Sequence, residues 1–265
     1  MKTQPLQIKF ADLTHTGQVV ASNTFPLGVA LVASYAREQL RGEVAVEVYK
    51  YPEEFAASLA RGLPDVACFS NFSWNVNLAC SFAREIKARS PATVTVFGGP
   101  NYPLTAQEQR DFLIGHPEID FYVWLEGEPA FVGLCRRLMA SGMDAVALRR
   151  TGEPIPSVHY LKDGELVRGA QAPRLTNLAD VPSPFVPDLG EKFLDDVLIP
   201  LIQTNRGCPY QCTFCTEGQE YYNKVHWSEA GRIRRDLEFI AAHTGAPDLI
   251  IVDSNFGMFK QDLDT

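Results

Sequence analysis

Long apolar runs are missing from this chain: no stretch reaches the roughly 18 residues that a membrane helix needs, and the N-terminus MKTQPLQIKF lacks signal-peptide architecture. A cytoplasmic protein is therefore expected, and a disulfide framework is not. Basic residues are in deficit, with 24 Lys and Arg against 32 Asp and Glu and a net charge of -8. That balance argues against broad electrostatic binding of nucleic acid, and RIRR at 232–235 is too short to reverse it. Cysteine is sparse, six in 265 residues. Cys68, Cys80 and Cys135 stand apart in predicted strand and helices and read as buried packing residues. What is plentiful is ordinary globular material, 46% hydrophobic and 21% charged, in a chain long enough for more than one domain.

The remaining cysteines, Cys208, Cys212 and Cys215, are spaced C-x3-C-x2-C in TNRGCPYQCTFCTEG, directly after the apolar run 197–202. Three thiolates on one short loop can hold three irons of a 4Fe-4S cube and leave the fourth iron without a protein ligand, whereas ferredoxin-type clusters use four cysteines. An open iron is a place for a small molecule to bind, so the spacing points to chemistry rather than electron storage. Zinc is the rival, with His226 eleven residues beyond Cys215. Structural zinc sites usually bring their ligands in two short-spaced pairs, and the second pair is lacking.

The first 150 residues alternate short apolar runs with amphipathic ones. LQIKFADL, VAVEVYKY, DVACFS, TVTVFGGP and DFYVWLEGE read as five strands, and 27–40, 53–61, 76–89, 105–114 and 129–140 as helices. Such alternation predicts an α/β fold with a doubly wound, Rossmann-like parallel sheet, whose ligands sit beyond the carboxyl ends of the strands. The loops there are DLTHTG (12–17), SNFSWN (70–75), FGGPNYP (97–103) and LEGEPAF (125–131). Gly98 and Gly99 permit close backbone approach, and Glu128 favours a following helix N-terminus. IPSVHYLKDGELVRG predicts a hairpin turning at Asp163-Gly164, and the Pro-rich 171–190 predicts extended chain. VLIPLIQTN then opens a second domain, followed by the cysteine loop, a helix over 228–242 with Ser228 as N-cap, and a second strand in APDLIIVDSNFGMF.

RGCPYQCTFC, with Phe214 just before its third cysteine, resembles the radical S-adenosylmethionine (AdoMet) enzymes, and the preceding α/β half resembles the cobalamin-binding domain of one branch of that family. The resemblance covers nearly the whole chain. It implies a cobalamin-binding domain over 1–150, a hairpin and Pro-rich connector over 151–190, and the start of a partial (β/α) barrel over 191–265. Cys208, Cys212 and Cys215 would hold the cluster, Phe214 would lie against the adenine, and Asp253 and Asn255 would bond the AdoMet ammonium or form a polar strand-end turn. Asp253-Ser254-Asn255-Phe256-Gly257 replaces the commoner Gly-Gly-Glu type of sequence. Cobalamin would be bordered by Thr14, His15, Ser70, Asn71, Trp74, Gly98, Gly99, Glu126, Gly127 and Glu128. The loop reads D-x-x-H-x-G where many cobalamin proteins carry D-x-H-x-x-G, so His15 is either an axial cobalt ligand or a hydrogen-bonding loop residue; Trp74 is either a cofactor contact or sheet-edge packing. A full barrel needs about six strand-helix units, roughly 200 residues, so the chain is expected to be a fragment.

The activity this resemblance implies is methyl transfer to an unactivated carbon of a small-molecule or natural-product substrate through a 5′-deoxyadenosyl radical. Electrons would come from a donor such as flavodoxin or ferredoxin, with no nucleic acid or membrane as partner. Cyclisation, rearrangement or methylthiolation by the same radical route, and a non-catalytic α/β module with a zinc or redox-sensing cysteine site, are the alternatives.

Overall fold

The structure, a computed structural model, describes residues 4–17 and 21–263. Two compact units divide it: residues up to Ser22 together with Gly28–Pro173, and Asn23–Leu27 together with the chain from Arg174 onward.

The first unit is built on a seven-stranded sheet. Its strands are β1 (Leu6–Ala11), β2 (Val44–Tyr49), β3 (Val66–Ser70), β4 (Val94–Gly98), β5 (Phe121–Val123), β6 (Val158–Lys162) and β7 (Glu165–Arg168), in the spatial order 2-1-3-4-5-6-7. The first five run parallel and the last two antiparallel. All five residues of β3 are buried, as a central parallel strand covered on both faces requires. Period-2 alternation then divides the side chains between two faces. Ala11, Phe69, Phe97 and Tyr122 face α2 (Pro52–Arg61), α3 (Val76–Arg89) and α4 (Ala106–Gly115) through Phe55, Leu59, Ala79, Ala83 and Leu113. On the other face Phe10 meets Phe131 of α5 (Gly127–Ala140) edge-on at 5.0 Å, and α1 (Leu27–Gln39) completes the set of crossover helices. The order 2-1-3-4-5 reverses direction between β1 and β3, which opens a crevice beyond their carboxyl ends.

Several boundaries differ from the sequence reading. The hairpin placed in the connector is the antiparallel edge of this sheet, with Tyr122 opposite His159. Its two-residue turn has positive φ at both Asp163 (51°) and Gly164 (80°), the type I′ geometry that matches strand twist. β5 is only three residues long, because Leu125 turns the chain at φ 69° and α5 begins at Gly127. Gly127 and Glu128 are thus the first turn of a helix rather than a loop. A short helix, α6 (Ala145–Thr151), capped by Asp144 accepting from the Ala147 N–H, was not anticipated.

In the second unit β8 (Leu201–Ile202) pairs in parallel with β11 (Ile250–Ile251), and β9 (Asn205–Arg206) pairs antiparallel with β10 (His226–Trp227). Between them lies α7 (Ala230–His243). A strand, a helix and a parallel strand make one unit of a (β/α) barrel. The strand expected over 197–205 is shorter than its apolar run; Pro200 has no N–H to donate, and regular pairing starts just after it. Ser228 is not the cap of α7. Its N–H donates to Thr204 O (2.7 Å), which extends the β9–β10 pairing, and Glu229 takes the N-cap position without a side-chain cap bond. The Pro-rich segment is ordered, as expected: Leu178, Val181, Phe185 and Leu189 are buried, and the rings of Phe25 and Phe185 pack with centroids 4.8 Å apart.

Candidate functional site

At the carboxyl ends of β1, β2 and β3 a buried polar network underlies the crevice. Asp12 pairs with Lys50 Nζ (2.9 Å), a lysine with no exposed surface. It also accepts Ser70 Oγ–H (2.5 Å), and Asn75 Nδ2 donates to Ser70 Oγ (2.9 Å). Three strand ends and the start of α3 are therefore held by charge and hydrogen bonds in a water-poor place where an unpaired polar group is costly. Thr14 is buried above this network and accepts from the Ser22 N–H (2.9 Å). His15 is exposed, with Nε2 3.1 Å from Trp74 O, so it links the loop after β1 to the loop after β3. Trp74 is half exposed and stacks on Phe72 with ring centroids 4.5 Å apart.

The FGGPNYP loop leans on Asn71. The buried Asn71 amide donates to Asn101 O (2.5 Å) and meets Tyr122 Oη (3.0 Å), while its N–H donates to Gly98 O (2.6 Å). Tyr122 in turn donates to Gly99 O (2.8 Å), and Tyr102 stacks on the Tyr122 ring at 3.7 Å. Gly99 has φ 130°, and a Cβ there would lie 2.6 Å from Asn71 O. Only glycine fits both demands. Gly99→Ala is expected to cost about 1–3 kcal/mol, measured by reversible denaturation. Gly98→Ala, whose Cβ would come no closer than 3.3 Å to Val123 O and at an ordinary φ, should cost less. Equal losses would mean that the loop can shift to accommodate either. Glu126 is the N-cap of α5, and Glu128 is buried in its first turn, where a carboxylate is favoured by the helix dipole.

In the second unit the cysteine loop follows β9. Cys208 is buried, and Cys212 and Cys215 are exposed, all three as free thiols. The backbone folds tightly around them: Cys208 N–H donates to Tyr222 O (2.8 Å), Cys215 N–H to Cys212 O (3.1 Å) and Gly218 N–H to Cys215 O (3.0 Å). Gly207, at φ 109°, and Gly218 pass so close to Lys224 O and Cys212 O that a Cβ would fall 2.3 and 2.2 Å from them. Phe214 is 90% exposed between the second and third cysteines. Three sulfurs on one compact loop, two of them open to solvent, are a donor set suited to iron.

Asp253, two residues past the end of β11, ties that strand end to the turn between β8 and β9. Its carboxylate accepts Thr204 N–H (2.7 Å), Asn205 N–H (3.1 Å), Asn205 Nδ2 (3.0 Å) and the Thr204 hydroxyl. Burial raises its pKa, and the Thr204 hydrogen bonds work against that rise. Asn255 Nδ2 donates to Cys208 Sγ (2.7 Å), and Ser254 bonds Glu217. The structure thus brings the DSNFG segment against the cysteine loop. Asp12 and Asn75 belong to the loops DLTHTG and SNFSWN without a part of their own legible in sequence, and Lys50 and Tyr122 lie outside those loops. A lysine closing the apolar strand VAVEVY was the available signal for one of them; Tyr122 carried none.

An α/β domain with the 2-1-3-4-5 order, followed in the same chain by a three-cysteine loop on a strand-helix-strand unit, defines the class. The family description "B12 binding domain" matches residues 14–135. Over 249 residues, 90% of this chain, the sequence is 30% identical to 2-(S-pantetheinyl)-carbapenam-3-carboxylate methyltransferase from Streptantibioticus cattleyicolor. It is 32% identical over 252 residues, again 90% of the chain, to the cobalamin-dependent radical SAM methyltransferase TokK from Streptomyces tokunonensis. The chain covers 35% of the length of each of these relatives. The fold is shared with the radical S-adenosylmethionine methyltransferase TsrM from Kitasatospora setae at a TM-score of 0.72 and 17% identity, over 97% of this chain and 49% of that one. It is shared with the cobalamin-dependent S-adenosylmethionine radical enzyme OxsB at 0.71 and 17%, over 96% and 34%. The chain is similar to radical S-adenosylmethionine methyltransferases over most of its length, and its first half matches the B12 binding domain.

Proposed function

We propose that this chain is the cofactor-binding portion of a cobalamin-dependent radical AdoMet methyltransferase acting on a small-molecule, natural-product substrate. The observation that carries the reading is the C-x3-C-x2-C loop with its Asn255-to-Cys208 contact, in one chain with a B12 binding domain and aligned over 90% of its length with two methyltransferases. A 4Fe-4S cluster with AdoMet would supply radical chemistry, and cobalamin would supply the methyl group.

The protein's own task is to hold and orient them. Cys208, Cys212 and Cys215 would ligate three irons, and Asn255 would hydrogen-bond one of the ligating sulfurs. Phe214, whose ring is exposed, would lie against the adenine. Asp253 is occupied by Thr204 and Asn205, so its part is to fix the ends of β8 and β11 beside the AdoMet site rather than to carry the ligand. In the first unit Ser70, Asn71, Gly98 and Gly99 would shape the cobalamin crevice through backbone and buried polar contacts, with Thr14, His15, Trp74, Glu126, Gly127 and Glu128 along its border. With its Nε2 on Trp74 O, His15 serves as a loop tie in preference to a cobalt ligand.

A donor such as flavodoxin or ferredoxin would reduce the cluster, in the cytoplasm and without nucleic acid. No helix among the described residues is long and apolar enough to cross a membrane.

The test is anaerobic reconstitution with iron, sulfide and hydroxocobalamin, then desalting and metal analysis. About four irons, the content of one cube, and one cobalt per chain are expected. Iron without cobalt would overturn the cobalamin assignment, and zinc in place of iron the radical one.

A further inference from the structure

We propose that Cys80, His116 and Glu118 form a zinc site in the first unit, separate from the cysteine loop. Cys80 Sγ lies 3.5 Å from His116 Nδ1, and that nitrogen lies 3.4 Å from Glu118 Oε1. All three donor atoms fall within 4.8 Å of one another, the only such trio of Cys, His and acidic groups among the described residues. Zinc bonds of about 2.3 Å to sulfur and about 2.0–2.2 Å to nitrogen and oxygen give tetrahedral edges of about 3.5 Å for S···N and about 3.4 Å for N···O. The protein already holds both edges.

Three elements supply the ligands: Cys80 comes from α3, His116 from the C-cap of α4 and Glu118 from the loop into β5. The last two stand at the amino end of β5, whereas the crevice lies beyond the carboxyl ends of the strands. The positions are fixed from outside the trio. Thr95 Oγ1 donates to Glu118 O (2.6 Å), His116 N–H to Leu113 O (3.3 Å), and Ile119 N–H to His116 O (3.0 Å). The Phe112 ring lies 4.6 Å from the imidazole. Cys80 and Glu118 are buried, but the His116 side chain is 28% exposed, which leaves a solvent-facing fourth position for water.

One group competes. Arg84 Nη1 donates to Glu118 Oε1 at 2.8 Å and would have to leave that oxygen. Its side chain is 58% exposed, and Nη2 already reaches Ser81 Oγ (3.3 Å), so the guanidinium has somewhere to go.

The whole chain with Cys208, Cys212 and Cys215 changed to alanine, so that the loop takes up no metal, is titrated with Zn²⁺ against a chelating indicator and melted with and without zinc. One zinc per chain and a zinc-dependent rise in Tm are expected. His116→Ala, a change at a partly exposed site, should weaken binding at least about tenfold, the lower end of what losing even an outer partner costs a metal site. It should also abolish the Tm rise. With Co²⁺ as probe, a thiolate-to-cobalt absorption band should appear and vanish in Cys80→Ser. Absence of stoichiometric zinc, or equal zinc binding in parent and His116→Ala, would show a hydrogen-bonded trio and overturn the proposal. Cobalamin and iron binding do not enter either outcome.

Discussion

Alanine at any one of Cys208, Cys212 and Cys215 should bring the iron content after reconstitution from about four per chain to below about one, because two thiolates cannot retain a cube that already has one iron without a protein ligand. Cys68→Ala and Cys135→Ala supply the contrast. Both residues are buried and lie far from the loop in sequence, and burial pushes the Cys135 thiol up to about 12 and Cys68 well above its ordinary value. Iron retained by these two variants and lost by the other three would place the cluster on the loop. The position of Cys208 makes its replacement the most severe. It alone of the three is buried, and removing it also leaves the Asn255 amide without its sulfur acceptor. Iron content read together with the brown chromophore's absorption separates the outcomes. Unchanged iron in Cys212→Ala would mean that the metal is held elsewhere and would sink the radical AdoMet reading.

How much of this was legible in the residues depends on the range of the forces involved. The five parallel strands and their helices were readable because β3 and β4 are near-continuous apolar runs and α2 to α5 keep a helical period. The cysteine loop was readable because its donors are neighbours in sequence. What escaped was set by partners far along the chain. β6 and β7 show hairpin chemistry locally, but nothing in 155–169 says that Val158 will pair with Val123. Ser228 has the chemistry of a cap, and a backbone bond to Thr204, 24 residues earlier, took it instead. Asp253 looks from sequence like a ligand-facing acid, and its oxygens are filled by the turn after β8, 48 or 49 residues away. Asp12 and Lys50 are a further case: their ion pair spans 38 residues, and the burial that gives it weight is a property of the folded sheet.

That pair gives the second large effect. Asp12→Ala would leave the Lys50 ammonium with no exposed surface and no counter-charge, and Lys50→Met would leave the Asp12 carboxylate only Ser70 and Asn75. Breaking a buried pair from one side costs about 3–5 kcal/mol, which in a chain of this size lowers Tm on the order of 10 °C. Both single variants should show it. Asp12→Leu with Lys50→Met removes the two charges together, and because an apolar pair of similar volume commonly does as well as a buried ion pair, most of the loss should return. The double variant therefore separates stability from function. It keeps the sheet but loses the acid that joins Ser70 at the end of β3 and Asn75 at the start of α3 to Lys50 at the end of β2, on the two sides of β1. Its cobalamin affinity should fall at least about tenfold, since losing a second-layer partner that orients contact residues costs about that much in comparable sites. Denaturation curves for the four proteins and equilibrium titration with hydroxocobalamin supply both numbers. A single variant that costs under about 1 kcal/mol would mean that water reaches the pair and screens it as at a surface. A stable double variant with unchanged cobalamin affinity would mean that the backbone, through bonds such as Thr14 N–H to Lys50 O at 3.1 Å, holds the crevice without the charges.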